Sequence, residues 1–243
     1  MTRVAELLFS RAAPLAFERI AHELIPRTGN PNRCCIQKDR EIIRQRVIAV
    51  LGFGLEDTEE LDQRLLADYV SVALARKKPD EPILSFINDA CQACVKANYY
   101  ITDVCRNCVA KPCIINCPKN AIEADEQRAT IISTKCVNCG ICQKVCPYHA
   151  IVYVPVPCEE SCPAGAIQKN AEGREFIDYD KCIFCGKCIQ ACPFGAVVEK
   201  SQLVEVIVSL LSTKKTVAMI APAIAGQFDG GIARLAGALK ALI

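Results

Sequence analysis

The sequence predicts an α+β protein: a helical N-terminal region, two tandem cysteine-rich units, and the start of an α/β domain. Three observations carry this. Helical periodicity runs through the first 90 residues, which hold only two cysteines. The other sixteen of the 18 cysteines lie in residues 91–200, where one short repeat occurs four times. Beyond residue 200 the chain turns apolar and almost free of charge runs. The expected divisions are a helical accessory region at 1–90, a first unit at 91–157 with an upstream CxxC, a second unit at 158–200, and an incomplete α/β domain at 201–243.

In the first region, Leu7, Phe9, Leu15, Phe17 and Ile20 follow a helical pattern interrupted at Pro14. "KDREIIRQRVIAVLGFG" puts Ile42, Ile43, Val47, Val50 and Leu51 on one helix face, and its glycines stop the helix. Asp57 and Glu60 resemble a capping box for "TEELDQRLLADYVSVALARK", with Leu61, Leu65, Val70, Val72 and Ala73 as the apolar stripe. "KKPDEP" breaks the chain before another short helix. The region reads as a small bundle built for packing. In the tail, "SQLVEVIVSLLS" reads as a helix and "KTVAMIAPAIAG" as a buried strand. "GGIARLAGALKALI" reads as a helix with Ile232, Leu235, Leu239 and Leu242 on one face.

Composition excludes several classes. Net charge is +2, which points to neither nucleic acid nor an anionic membrane. No apolar run reaches the roughly 18 residues that span a bilayer. "MTRVAELLFSRAAPLAFERIAHELIP" lacks the apolar core of a signal peptide, so a cytoplasmic location is expected. Dense cysteine in a reducing compartment indicates metal rather than disulfides.

The repeat is Cys-Pro, two residues, Ala, then Ile or Val: "CPKNAI" at 117, "CPYHAI" at 146, "CPAGAI" at 162 and "CPFGAV" at 192. Two of these end complete motifs. "CVNCGICQKVCP" contains Cys136, Cys139, Cys142 and Cys146; "CIFCGKCIQACP" contains Cys182, Cys185, Cys188 and Cys192. The spacing C-x2-C-x2-C-x3-C-P resembles bacterial ferredoxins. Three thiolates on one tight loop cap three corners of an iron–sulfur cubane, and Gly140 and Gly186 let the backbone come close. The fourth cysteine is expected at the start of a helix, with Pro favouring helix entry. A zinc ribbon needs neither the third cysteine nor the Pro. "CRNCVAKPCIINCP" contains Cys105, Cys108, Cys113 and Cys117 with a middle spacer longer by two; it resembles iron–sulfur subunits of molybdopterin oxidoreductases.

The ferredoxin resemblance implies the pairing. Each half of a two-cluster ferredoxin gives three ligands to one cluster and the fourth to the other, with the first Cys-Pro about nineteen residues before the next triad. Cys117 to Cys136 is 19 and Cys162 to Cys182 is 20, whereas Cys146 to Cys182 is 36. The two complete motifs therefore belong to different units. The implied sets are Cys105, Cys108, Cys113 and Cys146; then Cys117, Cys136, Cys139 and Cys142; then Cys162, Cys182, Cys185 and Cys188. Cys158 and Cys192 lack a CxxC, and the free pair Cys91 and Cys94 completes that set. Up to four [4Fe-4S] clusters follow, as iron held by sixteen cysteines. The alternative for Cys91 and Cys94 is a separate zinc or redox pair. Cys34 and Cys35 read as buried structural thiols. His22 reads as an ordinary helix residue and His149 as a surface histidine on a helix, in preference to a tuning role beside a cluster.

All-cysteine cubanes leave no open corner, so the chain reads as a wire with no catalytic residue of its own. "KKTVAMIAPAIAGQF" after the second unit resembles the entry to the catalytic domain of [FeFe] hydrogenases. That resemblance implies the electron-relay part of a hydrogenase-like oxidoreductase, ending just inside the H-cluster domain and before that domain's cysteines. Its implied partners are a hydrogenase-type catalytic domain and a redox protein such as a ferredoxin. The alternatives are a polyferredoxin subunit of another oxidoreductase, of molybdopterin type, and a redox sensor.

Overall fold

A computed structural model describes residues 1–26, 35–55, 64–78, 83–96, 98–171, 173–213, 215–226 and 230–241. Helices α1 (Thr2–Phe9), α2 (Ile20–Leu24), α3 (Ile36–Val50) and α4 (Leu66–Ala75) form the N-terminal region. A 3-10 turn at Pro14–Arg19 leads straight into α2, where Pro14 sits in the first turn and needs no N–H partner. Helix α9 (Leu203–Leu210) returns from the far end of the chain to pack on α1 and α4. Leu8, Phe17, Ile20, Ile48, Leu51, Val70, Val204 and Ile207 form the buried seam.

Helix α3 ends in a Schellman cap. Phe53 N–H donates to Ile48 O and Gly52 N–H to Ala49 O, with Gly52 at φ +87°. Arg76 then locks this end. It ion-pairs with Glu205 on α9 at 2.7 Å, donates to the carbonyls of Leu51 and Gly52, and lies over the Phe53 ring at 4.4 Å.

The cysteine-rich part consists of two small units of one design. The first is the sheet pair β2 (Asn98–Ile101) with β5 (Ile151–Val154), and β3 (Ile122–Ala124) with β4 (Ala129–Ile131). The second is β1 (Leu84–Phe86) with β8 (Val197–Glu199), and β6 (Ile167–Lys169) with β7 (Glu175–Ile177). All four ladders are antiparallel. Short helices α5 (Pro112–Ile115), α6 (Ile141–Val145), α7 (Pro157–Ser161) and α8 (Lys187–Ala191) carry one cysteine each. Because β1 pairs with β8, the whole span β2–β5 is inserted within the second unit. The first unit keeps its own small core of Ile122, Ala129, Cys142 and Ile151, while the second shares the core of the helical region. Mixed helices and short strands make the chain α+β.

Several expectations need correction. Leu84–Phe86, read as part of a short helix, is a strand because β8 offers it a hydrogen-bonding edge. Residues 215–221 form no strand: no other described strand pairs with them, and Val217 and Met219 are 79% and 99% exposed. A 3-10 turn at Pro222–Gly226 and helix α10 (Gly231–Ala241) follow, and α10 has no buried residue among those described. Of the expected stripe, Leu65, just before α4, and Val72 within it are exposed. The Asp57 capping box, Leu61, Leu242 and Cys34 lie outside the described residues. Cys35 is exposed rather than buried; its Sγ caps α3 by accepting from Lys38 N–H at 3.4 Å.

Replacing Arg76 by Ala removes an ion pair whose side chains are only 12% and 14% exposed, together with two carbonyl partners. It should lower the unfolding free energy by about 2–3 kcal/mol in anaerobic denaturant titration. An unchanged midpoint would show that α9 does not depend on this contact.

Candidate iron–sulfur sites

Each Cys-Pro repeat folds into the same turn. The cysteine carbonyl accepts from the N–H three residues on, at 3.2 Å in all four: Cys117 from Asn120, Cys146 from His149, Cys162 from Gly165 and Cys192 from Gly195. That third residue is left-handed every time, with φ +47°, +50°, +59° and +60°. The Ala that follows donates its N–H to the cysteine Sγ: Ala121 and Ala166 at 3.2 Å, Ala150 and Ala196 at 3.4 Å. All four alanines are at most 1% exposed, so a larger side chain has no room. The turn corrects two expectations. Cys146, Cys162 and Cys192 cap the C-terminal ends of α6, α7 and α8, and Cys117 follows α5, so none starts a helix. The proline instead supplies the fixed φ of a turn's second position. His149 lies in this turn rather than on a helix, whereas His22 is in α2.

The CxxC loops also share one backbone. The residue before the second cysteine is left-handed in each: Ala93, Asn107, Asn138 and Phe184, with φ between +45° and +55°. The first cysteine N–H returns to the carbonyl that opens the turn, at 3.1 Å each: Cys91 to Ile87, Cys105 to Thr102, Cys136 to Ile132 and Cys182 to Asp178. Cys91 and Cys94 thus have the geometry of the three longer motifs.

One further hydrogen bond joins loop to turn. The residue opening each CxxC loop donates to the carbonyl of a repeat alanine: Thr102 to Ala150, Ile132 to Ala121, Asp178 to Ala166 and Ile87 to Ala196, at 2.7–2.8 Å. This bond brings each Cys-Pro cysteine to one particular CxxC. Cys105, Cys108, Cys113 and Cys146 line one pocket with Ile101 and Ala129. Cys117, Cys136, Cys139 and Cys142 line a second, with Tyr99 as one wall. Cys162, Cys182, Cys185 and Cys188 line a third with Leu84 and Ile177. Around Cys192 the Ile87–Ala196 bond brings in the Cys91–Cys94 loop, and Cys94 and Cys158 both lie within electrostatic reach of Cys192. Helix α7 presents Cys158 as α5 presents Cys113, each cysteine directly after the Pro that opens its helix.

Burial pushes the thiols of Cys113, Cys142 and Cys188 up, and the neighbouring cysteines of each set push in the same direction. Cys158, 7% exposed, is pushed up to about 12 by burial, Glu175 and Cys192. Four thiolates in one apolar pocket need a cationic centre to hold them deprotonated, and iron supplies it. Backbone N–H donors at the sulfurs add to this, because an ionised sulfur is the better acceptor. The donor set therefore fits an iron–sulfur cluster. Among the described residues, no three Cys, His, Asp or Glu side chains close on a single-ion site; the cysteines surround pockets instead. Gly140 and Gly186, at φ +75° and +72°, open α6 and α8 between second and third cysteines. A Cβ on Gly140 would lie 2.7 Å from Tyr99 Oη.

The comparisons with known proteins agree with this chemistry. Residues 129–152 and 175–198 match the 4Fe-4S binding domain family. This is a ferredoxin-type iron–sulfur region. An uncharacterised ferredoxin of Methanocaldococcus jannaschii is 34% identical over 84 residues, covering 28% of this chain and 51% of that protein. The electron transport protein HydN of Escherichia coli is 34% identical over 68 residues, 28% of this chain and 39% of HydN. Hydrogenase-4 component A of E. coli is 38% identical over 48 residues, 20% of this chain and 23% of that protein. The chain thus spans about half or less of the length of these curated relatives. The region carries [4Fe-4S] clusters. Among the described residues no helix is long and apolar enough to cross a membrane.

Sequence reasoning missed the alanines. They stood in the quoted repeat, but their double hydrogen bond is not visible there. Gly195→Ala should cost about 1–2 kcal/mol, from its left-handed φ and a Cβ 2.6 Å from Arg46 Nη2. His149→Gly, at the same turn position, should be neutral or stabilising by about 0.5–1 kcal/mol. Thermal unfolding of the two loaded variants, side by side, checks the contrast.

Proposed function

We propose that this chain is a four-cluster electron relay in which sixteen cysteines hold four [4Fe-4S] clusters. The ligand sets are Cys105, Cys108, Cys113 and Cys146; Cys117, Cys136, Cys139 and Cys142; Cys162, Cys182, Cys185 and Cys188; and Cys91, Cys94, Cys158 and Cys192. The observation that carries this is the Ala carbonyl bond, made four times, which joins one CxxC loop to one Cys-Pro turn. The first two sets belong to an inserted ferredoxin-like unit at β2–β5, and the last two to the unit closed by β1 and β8.

The units meet through a hydrogen bond from β5 of the first to α7 of the second. Tyr99, in the wall of the second pocket, lies 5.0 Å from the Tyr153 ring. Tyr153 Oη donates to Glu160 on α7, the helix of Cys158, and this bond pushes the phenol up to about 12. The electron order that fits is first, second, fourth, third site.

The relay serves an [FeFe]-hydrogenase-like catalytic domain, in a reducing, cytoplasmic setting. The sequence at 214–228 supports this reading, and its exposed Val217 and Met219 are apolar surface of the kind a further domain covers. A second reading, an iron–sulfur subunit of another oxidoreductase, is favoured by the four-residue spacer between Cys108 and Cys113. Sequencing the transcript past Ile243 decides between them. H-cluster cysteine motifs in frame support the first; a stop codon beside a molybdopterin subunit overturns it.

Iron counting tests the ligand sets. Anaerobically prepared protein should hold about sixteen irons per chain. Cys91→Ser with Cys94→Ser should remove about four and leave the EPR signals of three clusters. A double variant that keeps all its iron would refute the fourth set.

A further inference from the structure

The two units have the same strand register, which makes each a reference for the other. In the first, β3 and β4 pair Ala124 with Ala129; in the second, β6 and β7 pair Lys169 with Glu175 at the same place. Ala129 is an inert methyl in the wall of the first pocket. Glu175 is a carboxylate only 4% exposed, with Oε2 3.1 Å from Cys91 Sγ. Its other oxygen is ion-paired with Lys169 Nζ, which also lies 3.8 Å from Glu159 Oε1. Cys94 and Cys158 fall within the field of Glu175 as well. The fourth site thus contains a buried charge pair that the otherwise matching first site lacks.

Desolvation offsets much of the attraction in such a pair, so its presence says little about stability. Without iron, the Cys91 thiol donates to Glu175. With Cys91 as an iron ligand that proton is gone, and the carboxylate directly faces a thiolate. Reduction adds one electron to the cluster, and a fixed negative charge beside a ligand sulfur opposes it. Lys169 works in the opposite sense from the far side of the carboxylate.

We propose that Glu175 and Lys169 are positioning residues that set the reduction potential of the fourth site, Glu175 lowering it and Lys169 raising it. This rests on Cys91, Cys94, Cys158 and Cys192 being one ligand set. The potential of the junction between the two units is then adjustable independently of the other three sites.

The test is an EPR-monitored redox titration, with iron counting, of the full chain and the variants Glu175→Gln and Lys169→Met. Iron should stay at the wild-type level in both. One midpoint of the four should move upward in Glu175→Gln and downward in Lys169→Met, with the other three unmoved. The opposite signs separate an electrostatic role from a structural one. Full iron with four unmoved midpoints, or a shift of the same sign in both variants, overturns the proposal and leaves the ligand set standing. Loss of the fourth cluster from both variants also overturns it, in favour of a structural role. If Cys91→Ser with Cys94→Ser removes no iron, the ligand set itself fails and the proposal with it.

Discussion

One hydrogen bond, made four times, organises the cysteine-rich part of this chain. The alanine of each Cys-Pro-x-x-Ala repeat gives its N–H to the cysteine sulfur and takes, on its carbonyl, the N–H that opens a CxxC loop. A thiolate pocket needs its sulfurs close together before the metal neutralises them, and mutual repulsion and burial both oppose that. A main-chain bridge holds them without using a side chain. The alanine must be small because it sits between the two loops, and the residue before it must tolerate a left-handed φ because the turn reverses there. Asn, His, Gly and Gly at that position show how little else the turn demands.

This bridge also explains the insertion. The Cys91–Cys94 loop and the Cys158 helix are separated by an entire unit, yet Ile87 bonds to Ala196 as Thr102 bonds to Ala150. Strand β1 then continues the same register along β8. Three paired residues close the second unit across more than a hundred positions, at a loop-closure cost that grows only slowly with length. The inserted unit brings its own small core, so the outer unit need not rearrange to accept it. Tyr153, packed on Tyr99 within the inserted unit, reaches out of it through the hydrogen bond from its Oη to Glu160 on α7.

The helical region is part of the same body. Its core is continuous with Ile167, Ile177, Cys158 and Cys188 of the second unit, and Arg46 of α3 donates to the carbonyls of Phe194 and Gly195 in the Cys192 turn. Arg76 gathers the end of α3, the loop after it and α9. The helices thus pack directly behind the fourth site, while the first and second sites lie on the inserted unit with its own core.

Much of the chemistry was legible in residue order. Four Cys-Pro repeats, two complete C-x2-C-x2-C-x3-C motifs and 18 cysteines imply clusters because few other ligands need thiolates at that spacing. Helices α1 to α4 and α9 were readable from their 3.6-residue periodicity, and Pro14 and Gly52 from their backbone limits. The strand at Leu84–Phe86 was not, since three residues carry no period and its partner lies at Val197–Glu199. Nor was the irregular stretch at 215–221, whose apolar run pairs with no described strand. Local spacing determines which cysteines can share a tight loop. Only the tertiary structure decides which loop meets which turn, and which charges stand beside them. Those are long-range hydrogen bonds and burial, and Glu175 beside Cys91, 84 positions away, leaves no local trace.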